Sequence, residues 1–242
     1  MLDMRILTLV AAATFLAPAA LAEDMQRVGG FEIDRTEVTV AAFRAFAEAT
    51  GTVTAAERAG GGEVYEAGWV TKPGWTWQAP FGRPAQDDEP AVHVTFAEAQ
   101  AYCAWRGKRL PTDAEWLEAA YTERRAHPPG PFRTGTTYPY PTGETPQGAN
   151  CLADCGSAPA IDHSAVLTRG IGHAPVGTTA VGVNGLHDMG ANVWEWVDGE
   201  DGGRKITRGG SWWYGERQMR RTHLASKPAD TAVVYIGFRC AR

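Results

Sequence analysis

The 242-residue chain has no apolar run after residue 22 long enough to cross a bilayer, which excludes a membrane-spanning helix from that part. It has no Lys/Arg cluster interleaved with exposed aromatics, and its net charge is −5, which argues against a nucleic-acid partner. There is no internal repeat, no linker-like stretch and no His-x3-His pair. The six histidines (His93, His127, His163, His173, His187, His223) are scattered singly, the usual distribution of surface or core hydrogen-bonders rather than of metal ligands. Glycine and tryptophan are abundant instead, at 28 and 9 residues. Many glycines point to a loop-rich fold, and many indoles to a core of large plates whose N–H groups need partners.

The first 22 residues read as a targeting segment. Arg5 precedes an apolar run from Ile6 to Leu16, and Ala20-Leu21-Ala22 supplies a small-x-small cleavage pattern before Glu23. This predicts a signal peptide cleaved after Ala22, leaving residues 23–242 as one exported domain, periplasmic or secreted, with no membrane contact after cleavage. In an oxidising compartment the four cysteines read first as two disulfides, for which three connectivities exist. Cys151 and Cys155 are close enough to pair locally, which leaves Cys103 with Cys240 in a bridge closing most of the domain. The alternative, a Cys-x3-Cys metal site, lacks a second nearby pair.

Regular structure is signalled only in patches. Phe31 and Ile33 alternate with polar residues in a short strand ending near Asp34. Thr39 caps a helix through Ala49, with Gly51 as its stop. Thr95-Phe96-Ala97-Glu98 and Thr112-Asp113-Ala114-Glu115 are capping boxes that open two more helices. Residues 52–92 and 124–179 show no period, and residues 233–240 look like a closing strand. Three short helices followed by short strands and long loops predict a single α+β domain.

The densest chemistry lies in residues 185–196, GLHDMGANVWEW, followed by RGGSWW at 208–213. With no clean period, the first stretch reads as neither helix nor ordinary strand. Asp188 and Glu195 among glycines and indoles suit an irregular loop whose oxygens hold a hard cation such as calcium. They equally suit a turn-rich core segment whose acids cap neighbouring amides.

These stretches, with DRTEVT at 34–39, GKRLPTDAEW at 107–116 and GFRC at 237–240, occur in an order that resembles the formylglycine-generating enzyme, or sulfatase-modifying factor, family. The resemblance covers about residue 28 to 242 and implies a C-type-lectin-like α+β fold with little regular structure. It implies structural calcium on the side chains of Asp188 and Glu195 and the carbonyls of Ala191 and Val193, with Asn150 and Cys151 at a second site. It also supports the Cys103–Cys240 bridge.

The family's founding enzyme oxidises a substrate cysteine to formylglycine with copper, using two cysteines shortly after Gly-Gly-Ser. This chain has Tyr214 and Met219 there. A hard phenol oxygen and an uncharged thioether do not replace two thiolates on soft copper(I). The resemblance therefore implies an oxidoreductase of a divergent branch acting on a small molecule or peptide, with an unidentified redox metal or cofactor, and not a formylglycine generator. One such branch matures the siderophore pyoverdine in the periplasm. Another, with three-histidine iron, carries a helical domain absent here. Two other expectations stand beside it: a non-catalytic, calcium-stabilised binding module, or an accessory protein for a periplasmic metalloenzyme. By position, the family's pocket places Trp194, Ser211, Tyr214, Arg217 and Met219 near one another as pocket candidates. Arg220 and Arg221 fall in the same segment, but their reading here is structural, as arginines of a strand that pair with Asp and Glu of the domain.

Overall fold

The computed structural model describes residues 24–242 except 159, 163, 168 and 169. The signal-peptide expectation and His163 lie outside the described residues. The chain forms one α+β domain: a two-stranded sheet of β1 (Met25–Val28) and β2 (Phe31–Asp34), a hairpin of β3 (Gly61–Tyr65) and β4 (Trp69–Pro73), and a four-stranded sheet. In the last, β5 (Trp194–Asp201) lies between β6 (Arg204–Arg208) and β8 (Ile236–Gly237), with β7 (Ala225–Lys227) beyond β6. No helix among the described residues is long and apolar enough to cross a membrane.

The helices follow their capping chemistry. α1 (Val40–Thr50) starts at Thr39, whose hydroxyl accepts from Ala42 N at 3.1 Å, and stops at Gly51 in the left-handed region. α3 (Phe96–Trp105) and α4 (Asp113–Tyr121) open with the expected capping boxes. A further helix, α2 (Ala55–Arg58), lies between α1 and α3 and also has a full capping box, Thr54 with Glu57. Residues 52–92 are thus not wholly irregular. They hold α2 and the β3–β4 hairpin, and the Thr54-Ala55-Ala56-Glu57 signal was legible.

Two other expectations need correction. Trp194, Glu195 and Trp196 belong to a strand, paired in register Glu195↔Arg208 up to a register shift between Trp196 and Glu200. Its first four residues are buried on both faces, so the inside–outside alternation that would have marked it is missing. The closing segment contributes only Ile236–Gly237 as strand, parallel to β5. Its later residues bond singly elsewhere: Val38 N donates to Phe238 O, and Asp34 N to Cys240 O, both at 2.9 Å.

Both expected disulfides are present, Cys103–Cys240 and Cys151–Cys155. The first joins α3 to the closing segment inside the main aromatic core, where Phe43, Trp77, Tyr102 and Phe238 pack edge and face. The motifs read separately in the sequence are one another's partners. Asp34 takes Lys108 Nζ at 2.8 Å and Cys240 N at 3.1 Å, and Arg35 reaches Gly185 O at 3.2 Å.

Candidate functional site

Two centres flank the start of β5. The first is a buried polar knot. Arg239 Nη2 and Nε donate to Glu195 Oε1 and Oε2 at 2.8 Å each, and Trp116 Nε1 donates to Oε2 at 2.8 Å. Arg239 also bonds Asp34 O and His187 O, so its donors reach three residues, Asp34, His187 and Glu195. Asp188 accepts from Gly177 N at 2.6 Å and Thr179 Oγ1 at 2.5 Å. Glu37 accepts from Val193 N at 3.1 Å and Asn192 Nδ2 at 2.7 Å. Asn150 Nδ2 donates to Asn192 Oδ1 at 3.0 Å, which joins the 150 segment to the knot.

Arg239 bonds the Glu195 carboxylate alone, and its charge also acts on the buried carboxyl groups of Glu37 and Asp188. Burial first, then the charges of Asp188 and Glu195, push the Glu37 carboxyl well above the usual carboxylate range. The backbone is bent to make this arrangement: Asp188, Ala191 and Asn192 all take the left-handed conformation, at φ 59°, 61° and 50°. Non-glycine residues stay there only when surrounding bonds hold them. Among the described residues, no group of three or more His, Cys, Asp or Glu is placed to hold a metal ion. A cation at the knot would thus need backbone carbonyls such as those of Ala191 and Val193. Asp188 fits such an ion, since each of its oxygens accepts one hydrogen bond and keeps a lone pair, whereas Glu195 is taken bidentately by Arg239, with Oε2 also accepting from Trp116.

The second centre is aromatic. Trp194, the first residue of β5, carries the ring of Tyr214 edge-on at 5.7 Å and that of His223 at 5.7 Å. Tyr214 meets Tyr235 edge-on at 5.9 Å, and Trp213 stacks on Tyr235 at 6.1 Å. Ser211 is buried, its Oγ accepts from Trp213 N at 3.3 Å, and its carbonyl accepts from Tyr214 N at 3.0 Å. These bonds form the tight turn that turns Tyr214 back over Trp194. Burial, and then Tyr214, push the Tyr235 phenol up, so it stays neutral at ordinary pH. Burial and Arg208 lower the His223 imidazole, which favours its neutral form.

Of the expected pocket residues, the fold brings Trp194, Ser211 and Tyr214 together. Arg217 is exposed on a short 3-10 helix, Glu216–Met219. Met219 turns inward: it is fully buried, with Sδ 3.6 Å from Cys155 Sγ and Cε packed against Gly190. Arg220 pairs with Glu216 at 3.2 Å, as the bland reading of that residue expected. Glu37, Tyr235 and His223 were not singled out from the sequence. Glu37 lay within a quoted motif, but nothing local marked it as buried.

Comparison with known proteins places these features in context. Residues 9–242 match the family described as "Sulfatase-modifying factor enzyme 1-like domain". The chain is 33% identical to the formylglycine-generating enzyme of Thermomonospora curvata, over 89% of this chain and 82% of that protein. It is 31% identical to the hercynine oxygenase of Mycolicibacterium thermoresistibile, over 70% of this chain and 36% of that protein. Among solved structures, PvdO from Pseudomonas aeruginosa superposes with a TM-score of 0.59 at 23% identity, covering 88% of this chain and 80% of that one. At that identity the likeness concerns the fold.

Proposed function

Because the chain belongs to the sulfatase-modifying factor enzyme family, we propose that it is an exported oxidoreductase of a divergent branch that makes no formylglycine. Its substrate is a small molecule or a peptide, held beside Tyr214, the half-buried ring of the Trp194–Tyr214–Tyr235 cluster. The family includes relatives named for different oxidations, so a change of reaction within this scaffold has precedent.

One observation carries the reading. None of the four cysteines is free, and positions 214 and 219 hold a phenol and a thioether that faces the core beside Cys155. A copper(I) ion held by two thiolates does not fit that donor set, so no step is routed through one. The residues present act otherwise. Tyr214 and His223, both half-buried, are the rings of this cluster that a planar group can meet, and the buried Trp194 and Tyr235 pack beneath them and hold them in place.

The second reading, a calcium-stabilised binding module without turnover, rests on the polar knot, where three carboxylates face a single guanidinium. In that reading Asp188 and Glu195, with the carbonyls of Ala191 and Val193, hold the ion and steady the loop. The export reading rests on the leader pattern ending at Ala22.

Elemental analysis of protein recovered from the exported fraction separates the two. A stoichiometric redox metal, together with no conversion of a cysteine peptide to formylglycine by mass spectrometry, is the expected result. Calcium as the sole metal would favour the binding module, and formylglycine formation would sink the proposal outright. N-terminal sequencing of the same material is expected to begin at Glu23.

A further inference from the structure

The outer face of the β3–β4 hairpin forms one wall of a cavity of about 630 Å³. The register pairs Tyr65 with Trp69 and Glu63 with Thr71, which puts all four side chains on one side of the hairpin, while Val64 points into the core. Arg204, at the start of β6, Lys227, at the end of β7, and Asp230 line the cavity with Glu63 and Trp69. Lys227 Nζ lies 5.4 Å from the centre of the Trp69 ring, and Tyr65 meets that ring edge-on at 5.5 Å.

Glu63, Asp230, Arg204 and Lys227 thus bring two charges of each sign to one cavity, and none of the four forms an ion pair with another described residue. Arg204 makes a single side-chain bond, Nη2 to Ser226 O at 3.3 Å. This differs from the local habit. On the same hairpin Lys72 pairs with Glu66 at 2.9 Å, and elsewhere Arg44 pairs with Asp87 and Arg109 with Glu115, each at 2.6 Å. Burial lowers the Lys227 ammonium, and the neighbouring Arg204 lowers it further, so these two cations stand near each other without a counter-ion. An incoming anionic group relieves that repulsion, and the two carboxylates of the same lining offer acceptors to an incoming ammonium. Trp69, 48% accessible and lining the same cavity, supplies a stacking plate beside Lys227.

We infer that this cavity binds a zwitterion with a planar side chain: a free aromatic amino acid, or a derivative that keeps both its amine and its carboxylate. The carboxylate meets Arg204 and Lys227, the ammonium meets Glu63 and Asp230, and the ring lies on Trp69. The cavity's volume is in the range of small-ligand sites. Binding here goes beyond the proposed oxidation and stands whether or not turnover follows.

Isothermal titration calorimetry at neutral pH with the purified domain tests it. The probes are L-phenylalanine, N-acetyl-L-phenylalanine and L-phenylalaninamide. Phenylalanine is expected to bind, with each capped form weaker by about tenfold or more. In Lys227→Met the amide should lose its disadvantage, and in Glu63→Gln the N-acetyl form should lose its own. Should a variant fail to fold, the three probes on the unaltered protein still decide. Absence of phenylalanine binding at millimolar concentration overturns the inference, as does equal binding of all three. Because calorimetry reads binding alone, failure here leaves the oxidoreductase proposal standing, and loss of that proposal leaves this site.

Discussion

Met219 Sδ sits 3.6 Å from Cys155 Sγ, so the 3-10 helix after the aromatic turn is pinned to the loop closed by the Cys151–Cys155 disulfide. Tyr121 Oη adds a hydrogen bond to the Met219 carbonyl at 2.7 Å. A position that serves copper in the founding enzyme of the family is here a packing position. The polarizable thioether fills an irregular gap against sulfur and the small residue Gly190.

Met219→Ala should therefore destabilise the fold by about 2–4 kcal/mol, the range for emptying a buried methionine site. Urea unfolding checks it. A change below about half a kcal/mol would mean the side chain does not pack as described.

Arg239→Met strands Glu195 beside Asp188 and Glu37 without the cation whose charge acts on all three. A loss of about 3–5 kcal/mol is expected. The double variant with Glu195→Gln should lose clearly less than the sum of the two single changes, because the residues act as one unit. Additivity in the urea midpoints would contradict the pairing.

The two disulfides should contribute unequally. Replacing Cys103 and Cys240 by serine opens a bridge of sequence separation 137. On the chain-entropy model the loss is about 5 kcal/mol. Replacing Cys151 and Cys155, separated by only 4 positions, should cost about 2 kcal/mol on the same model. Guanidinium titrations of the two double variants rank them directly.

His93 sets a pH dependence. It is completely buried, and burial lowers its imidazole to about 4. The unfolded chain protonates this ring near its ordinary value of about 6.5. Between these values the unfolded state binds more protons than the folded state. The stabilisation is thus full above about pH 6.5 and is lost as pH falls towards 4, a difference of about 3 kcal/mol. His93→Asn removes the titration and suits the left-handed backbone at this residue, φ 57°. Its stability should fall less steeply over that window than that of the unaltered protein; parallel curves would assign the effect elsewhere.

Calcium makes a separate demand. A chelator should lower the Tm, and Asp188→Ala should abolish that sensitivity, if an ion on the Asp188–Glu195 loop steadies the fold. For an ion at a hundred times its Kd the expected stabilisation is about 3 kcal/mol. A melting curve unmoved by chelator ends the calcium proposal.

Much of this was legible in the residues because it is local chemistry. The capping threonines and the alternation of Phe31 and Ile33 each act within a few positions, and the structure follows them. Other features were hidden because burial on both sides erases the alternating pattern. The strand through Trp194-Glu195-Trp196 is such a case. The β3–β4 hairpin was hidden for a different reason, since β3 opens on two glycines and β4 is exposed along nearly its whole length. At Gly62 in that hairpin, a side-chain carbon would lie 2.0 Å from His93 Nδ1, a constraint that exists only once residues 31 positions apart have met.

The sequence alone determined the helix starts, the family order of its motifs, the cysteine partners and the loss of the thiol pair at 214 and 219, since each depends on residue identity at a given spacing. Only the tertiary structure decided that the charge of Arg239 acts on Glu37, Asp188 and Glu195 together, that Met219 faces the core while Tyr214 faces Trp194, and that four charges meet unpaired around Trp69. Charge repulsion, burial and orientation depend on distances between segments, and those distances are set by the packed fold.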